Sequence, residues 1–390
     1  MQPKTEMKMD KASFERLKKT VQNMAESNRL SQLDPNYAVK IPKEVGIQLT
    51  NRCNLRCKHC FEWNQEGFNH DLTKKQLDHE LDFDIVEKIL KQTCETKADL
   101  FLWGGEPMYY REWDRLTRLL EQDPRWSVLC TNGIMVEEKM DSLLRISENL
   151  AILTSIEGFE AENDAIRGTG SYKKVMAGMD KVLSLQKKGI FKGKQSVHCT
   201  ISDAMIGKLY DFMVYFEDLG VDTVYFCFPW YLPKEVSLAM DQFVEEKFSW
   251  LVGENSQQKK SWHSFKFRIN PDLVTYLEEE MRKINERTWK IRIRYQPALE
   301  ITQVKDYILG TTATAQHKKK CLAITNRMDV LADGSVSACK LFSEFNVGNL
   351  KTMDVDEVWN GEKFKKVRAI LSSGLMPVCS KCILLYLNGI

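Results

Sequence analysis

The sequence predicts an α/β chain. Parallel strands alternate with helices, as an open partial barrel or a doubly wound sheet, and a small α+β module bearing cysteines follows. Three observations carry this. Between Val45 and Phe228, β-branched runs alternate with amphipathic stretches at helical spacing. After Pro229 that rhythm stops. Seven of the eleven cysteines fall into two groups with ligand-like spacing, one early and one late in the chain.

In chain order, residues 1–43 read as a polar helix over about 11–27 and a linker holding Pro35 and Pro42. Strand-like runs follow at 45–50, 98–103, 127–131, 150–156, 195–201 and 223–228. Helical patterns lie between them at 83–93, 112–121, 136–147, 172–188 and 205–219. Short connections between such elements make βαβ units, whose chemistry collects at the C-terminal ends of the strands. Residues 233–320 give helices over 234–251 and 272–285 and a basic strand over 290–295. Strands 328–331 and 335–338 then flank Ala332-Asp333-Gly334, a hairpin signal, and 354–371 reads as a helix. The expected division is a helical extension (1–43), a barrel (44–232), a bridging and substrate-specificity region (233–320) and a cysteine module (321–390).

With 56 basic and 54 acidic side chains the net charge is +2, which points to neither a nucleic-acid nor a membrane-surface partner. The longest apolar stretch, 221–232, is interrupted by Asp222, Thr223 and Pro229 and is too short to span a bilayer. The charged N-terminus lacks a signal-peptide core, so a cytoplasmic protein is expected. A disulfide framework is then not expected. Cys94, Cys130, Cys199 and Cys227 sit singly and read as small buried apolar side chains.

The first group, Cys53-x3-Cys57-x2-Cys60, directly follows the first barrel strand. Thiolates so spaced can each hold one iron of a cubane, leaving the fourth iron open, as a catalytic centre requires. A zinc knuckle borrowing His59 or His70 satisfies the same spacing.

Downstream lie Gly104-Gly105-Glu106-Pro107, Thr131-Asn132-Gly133, Ser155-Ile156-Glu157-Gly158 and Arg167-Gly168-Thr169-Gly170-Ser171, in order and at strand ends. With the cysteine loop, this series resembles the radical S-adenosylmethionine (SAM) superfamily over about residues 45–230. His59 stands where an aromatic residue is usual and Glu157 where aspartate is usual. The resemblance implies a partial (β/α)6 TIM-like barrel, a [4Fe–4S] cluster on Cys53, Cys57 and Cys60, and SAM on the open iron. It assigns His59, Gly104, Gly105, Glu106, Pro107, Thr131, Asn132, Ser155 and Arg167 to SAM binding. Glu106 and nearby carbonyls would take the methionine ammonium, Ser155 a ribose hydroxyl, and Arg167 the methionine carboxylate. The glycines would let backbone approach the ligand.

The second group is Cys321, Cys339, Cys379 and Cys382, with Gly334-x4-Cys339 across the hairpin and a terminal C-x-x-C. Its spacing, with Val347-Gly348-Asn349-Leu350 and Val358-Trp359-Asn360-Gly361, resembles the SPASM/Twitch extension. Four cysteines suit the shorter Twitch form, with one auxiliary [4Fe–4S] cluster closed to substrate. A four-thiolate zinc site, as in a non-redox interaction protein, has the same ligands.

The resemblance implies reductive SAM cleavage, hydrogen abstraction from an unactivated carbon, and an auxiliary cluster that takes up an electron. A ribosomally made peptide, oxidised or crosslinked, is the expected substrate. A small sugar alcohol or aminocyclitol is the alternative. A flavodoxin- or ferredoxin-type protein is the expected reductant. No catalytic base is assigned; His198, Thr200, Tyr225 and Cys227 are candidates whose face the pattern does not fix. Trp230, Tyr231, Trp250 and Trp262 read as core aromatics before pocket walls.

Overall fold

The computed structural model describes residues 3–252, 259–315 and 317–390. Its strands are β1 (Lys4–Thr5), β2 (Glu44–Gln48), β3 (Asp99–Trp103), β4 (Ser127–Thr131), β5 (Leu150–Ser155), β6 (Lys194–Thr200), β7 (Thr223–Cys227), β8 (Thr288–Trp289), β9 (Arg292–Gln296), β10 (Arg327–Val330), β11 (Ser335–Ser337) and β12 (Asn346–Asn349). Strands β2 to β7 pair in sequence order and in parallel, the arrangement that βαβ alternation dictates.

Alternation gives each strand two faces. One set packs against helices in the apolar core: Val45 and Ile47, Leu100 and Leu102, Val197 and Cys199, Val224 and Phe226. The other set, including Phe101, Trp103, Cys130, His198, Thr200, Tyr225 and Cys227, points into the lumen of the open barrel. All four base candidates therefore share the lumen face. Cys199 and Cys227 are buried as expected; Cys94 is exposed instead, because it lies in the turn after the helix Phe83–Gln92.

The sheet continues beyond six strands on both edges. β9 pairs in parallel with β7, and β10 pairs in parallel with β2, giving a ten-stranded sheet ordered β12-β11-β10-β2-β3-β4-β5-β6-β7-β9. The cysteine-bearing hairpin thus extends the barrel sheet itself. Gly46 makes this possible: a Cβ there would lie 1.9 Å from Asp329 Oδ1 and 2.4 Å from Arg327 Nη2.

The helix Lys11–Leu33 is longer than its polar pattern suggests. It meets the N-terminal ends of the strands, through Arg16 over Trp126, Lys43 to Asn23 and Lys194 to Asp10. The predicted helix 354–371 divides into Val355–Trp359 and Glu362–Ser373, because Asn360-Gly361 ends one and starts the next. The helix Glu160–Arg167 escaped the pattern; apart from Ile166 it shows little apolar signal. Among the described residues no helix is long and apolar enough to cross a membrane.

Candidate functional site: two cysteine sets across the barrel lumen

The loop after β2 carries Cys53, Cys57 and Cys60. All three thiols are free, and burial pushes each up, Cys53 to about 12. The charge of Cys57 further raises both of the others, so the three sit within electrostatic reach.

The Gly104–Pro107 loop docks on this cysteine loop. Gly105 N donates to Thr50 O and Glu106 N to Arg52 O, both at 2.8 Å. A Cβ on Gly104 would lie 2.5 Å from Thr50 O, and one on Gly105 2.4 Å from Arg52 O. The close approach these glycines permit is therefore to protein backbone. Glu106 is likewise occupied. Its fully buried carboxylate accepts from Thr131 Oγ1 (2.8 Å), Asn132 N (2.8 Å) and Met108 N (3.2 Å), while burial raises its pKa to about 7. It clamps the Thr131–Gly133 turn to the loop, and loop carbonyls remain for an ammonium. Pro107 opens the short helix Pro107–Tyr109, and Asn132 Nδ2 donates to Asn54 Oδ1 at 2.7 Å.

Across the mouth lies a buried charged group. Glu157 Oε1 pairs with His59 Nε2 at 2.8 Å and accepts from Arg167 Nη2 at 2.6 Å, while Oε2 accepts from Thr200 N at 2.5 Å. Burial would raise the Glu157 carboxyl, but the His59 and Arg167 charges hold it down to about 2. The two positions that depart from the family pattern, His59 and Glu157, thus contact each other. A longer carboxylate reaches an imidazole where the usual pattern has a ring with no charge. Arg167 is 7% exposed; its Nη1 lies 3.8 Å from Cys57 Sγ, and its buried Nε has no partner among the described residues. That orphaned donor, on a guanidinium whose Nη1 faces a thiol, is what a chelating carboxylate would meet. Ser155 ends β5 with its hydroxyl unbonded among the described residues.

The lumen-facing His198 is half-buried; loss of hydration, against the Glu157 charge and with the nearby Arg167, His59 and Lys340 charges, lowers it to about 4. It is neutral at pH 7 and a weak base there.

The second set lines one cavity: Cys321, Cys339, Cys379 and Cys382, walled by Phe342, Leu371, Leu375, Met376 and Val378. Cys339 follows the β10–β11 hairpin, and Cys379 and Cys382 flank the turn Pro377–Lys381. Burial raises all four thiols, Cys321 to about 12. Among the described residues no three of these side chains converge as on a single ion; the sulfurs ring a space instead. Four free thiols lining one cavity, and three on the loop that Arg167 meets at Cys57, fit iron–sulfur clusters and SAM.

The segment 261–267 covers the first loop. Phe265 stacks on Phe61 at 4.9 Å, Phe267 meets His59 at 5.8 Å, and Asn64 Nδ2 donates to Ser264 O at 2.9 Å. Phe265 also contacts Phe342 of the second cavity at 5.8 Å. Trp230 joins the Phe61–Phe265 stack and Trp262 is fully buried, so these aromatics pack the core. Sequence reasoning missed Phe265, Asn64 and Lys340; no motif marks them, and only the tertiary fold brings them to the site.

Residues 47–213 match the radical SAM superfamily, and residues 321–383 an iron–sulfur cluster-binding domain, SPASM. The chain is 33% identical over 196 residues to pre-heme d1 synthase of Dinoroseobacter shibae, covering 49% of this chain and 45% of that protein. It therefore spans less than half the length of that relative. It is 23% identical to the AdoMet-dependent heme synthase of Methanosarcina barkeri, over 84% of this chain and 85% of the other. It is 25% identical to mycofactocin maturase MftC of Mycobacterium ulcerans, over 47% of each. In fold it is similar to Streptococcus suis SuiB bound to precursor peptide SuiA, with TM-score 0.57 and 14% identity over 93% of this chain and 74% of the other. A [4Fe–4S] cluster and SAM are the cofactors of the first domain, and the second binds further iron–sulfur. The chain carries a radical SAM superfamily domain over residues 47–213 and a SPASM iron–sulfur cluster-binding domain over residues 321–383.

Proposed function

We propose that this radical SAM enzyme is an oxidoreductase that acts on a substrate held in the barrel lumen between the two cysteine sets. When bound, the first cluster and SAM supply a 5′-deoxyadenosyl radical able to abstract hydrogen from an unactivated carbon. Cys53, Cys57 and Cys60 would hold that cluster, and Cys321, Cys339, Cys379 and Cys382 a single auxiliary one. Arg167, oriented by Glu157 and His59, would receive the methionine carboxylate through Nε. Carbonyls of the Gly104–Glu106 loop would take the ammonium, and Ser155 a ribose hydroxyl. Phe265 and its neighbours would exclude water from the cysteine loop. The observation that carries the reading is the buried Arg167 guanidinium, with Nη1 facing Cys57 Sγ and Nε unpartnered among the described residues, opposite a second set of thiols. A flavodoxin- or ferredoxin-type protein would supply electrons, and residues 233–320 would set specificity.

Anaerobic reconstitution tests the cofactor assignment. About eight irons per chain should fall to about four in Cys53/Cys57/Cys60→Ala protein, with dithionite-driven SAM cleavage lost. Zinc in place of iron, or no cleavage by loaded wild type, would sink it.

For the substrate, relatives that mature peptides support a ribosomally made peptide, oxidised or crosslinked. A small molecule is the second reading, favoured by the 33% identity to pre-heme d1 synthase and the end-to-end match to a heme synthase. Cell extract that stimulates 5′-deoxyadenosine formation separates them: protease treatment should abolish stimulation by a peptide and spare that by a small molecule.

A further inference from the structure

In the lumen, between the two cysteine sets, two hydrogen-bond donors have no acceptor among the described residues. Trp103 Nε1 is buried and unpartnered. Lys340 Nζ lies 3.9 Å from the centre of the Phe101 ring and 6.0 Å from that of Trp103, and makes no hydrogen bond or ion pair. The adjacent cation differs. Arg327, 5.1 Å from the same Phe101 ring, is bonded by both Nε and Nη2 to Asp329 at 2.8–3.0 Å. Asp329 is bonded to Arg327, while Lys340, next to Cys339 on the wall of the second cysteine cavity, has no bonded anion among the described residues. Lys340 is within electrostatic reach of Cys130, His198 and Cys227, which face the lumen from β4, β6 and β7. Its ammonium therefore projects across the lumen. Lys340 is half-buried, so part of the hydration of its ammonium is lost, and an aromatic face recovers only some of that.

We propose that the lumen binds an acidic substrate, whose carboxylate is received by Lys340 Nζ and Trp103 Nε1 over the face of Phe101. This rests on the reading that substrate occupies the lumen. One charged donor, one neutral indole donor and an apolar plate suit a carboxylate. A phosphate would want the guanidinium fork that Asp329 already holds. The carboxylate belongs either to a peptide or to a small organic acid, and the assay has an arm for each.

The test is acetylation of Lys340 in anaerobically reconstituted, SAM-loaded protein at fixed ionic strength, read by mass spectrometry. The probes are glutarate against neutral glutaramide, and an N-acetylated, C-amidated glutamate tripeptide against its glutamine analogue. The acids should slow labelling of Lys340 at least several-fold, and the amides should not. Stronger protection by the tripeptide assigns a peptide source; stronger protection by glutarate assigns a small acid. Trp103→Phe protein with wild-type iron and sulfide content should lose most of the protection. Equal labelling with acid and amide overturns the proposal. So does loss of labelling on cluster loading alone, which makes Lys340 a counter-ion of the auxiliary cluster. SAM cleavage is followed in the same wild-type sample: cleavage without protection sinks this proposal alone, and absence of cleavage sinks the underlying reading too.

Discussion

Substituting Gly105 by alanine isolates a single contact on which the first cysteine loop depends. The added Cβ would sit 2.4 Å from Arg52 O, where real contacts stay above 3.0 Å, so the loops must part by about 0.6 Å. Both loops are backbone, and neither can swing a flexible side chain aside. Parting them stretches Gly105 N to Thr50 O and Glu106 N to Arg52 O, each 2.8 Å now. Two buried hydrogen bonds at about 1 kcal/mol each, plus about 1–3 kcal/mol of overpacking, put the cost near 3–5 kcal/mol. Gly374→Ala is the control, because its Cβ meets nothing within 4 Å. Urea unfolding of the cluster-free chain should show a lowered midpoint for Gly105→Ala and none for Gly374→Ala. Iron content after reconstitution should fall toward the four irons of the auxiliary site, about half of the full complement. Wild-type stability together with full iron loading in Gly105→Ala would refute the claim that the glycine serves loop docking.

Three further outcomes follow from buried charge. Glu157→Gln leaves Arg167 and His59 without their anion, and breaking such a group costs about 3–5 kcal/mol; weaker SAM binding, read as a raised KM in dithionite-driven cleavage, should accompany the lowered stability. His198 titrates at 6.5 when unfolded and at about 4 when folded, so in between the unfolded chain binds the extra proton. Stability should then fall by up to about 3 kcal/mol as pH drops from 6.5 to 4, and His198→Phe should flatten that slope in pH-dependent unfolding. Arg368 is 2% exposed and, among the described residues, has only Ile324 O as a bonded partner and leaves Nη2 unbonded; Arg368→Met should raise the unfolding midpoint of the cluster-free chain, and a drop would show that its stacking on Trp359 and Phe364 outweighs the buried charge.

Elements with strong periodicity were legible in the sequence. The six barrel strands fall where β-branched runs predict them, because a parallel strand is buried on one face and its apolar run has no competing explanation. The cysteine spacings were equally plain, since a ligand loop must place its donors by local chain geometry. What stayed hidden depends on distant partners. Glu160–Arg167 is a short polar helix that exists because Asn163 and Asp164 bond to Glu157 N, Ser171 and Tyr172 N. The side chain of Glu106 reads as a ligand from its motif, yet three donors from its own loop and the neighbouring turn consume it. The meeting of His59 with Glu157 spans 98 residues and leaves no trace in either local pattern.

The extension of the sheet explains how two clusters bound at opposite ends of the chain could act on one substrate. The first cysteine loop leaves the C-terminal end of β2. β10 runs parallel to β2 with Val330 beside Ile47, and β11 returns antiparallel, which carries the chain back toward the start of β2, across the lumen from the first loop. Cys339 lies just beyond β11, and Lys340 is carried back over Phe101 and Trp103 of β3. Shared strand pairing fixes the spacing of the two sites more firmly than a docked module would, since sliding one would break a ladder of backbone hydrogen bonds. Aromatic packing adds a second tie, from Phe61 through Phe265 to Phe342. A loss of that tie should therefore loosen the cover over the first loop before it separates the sites. Phe265→Ala, at about 3–5 kcal/mol, should speed hydrogen exchange in 59–67 while leaving β2 and β10 protected. Equal loss of protection in β10 would mean that packing, and not the sheet, holds the two sites in register.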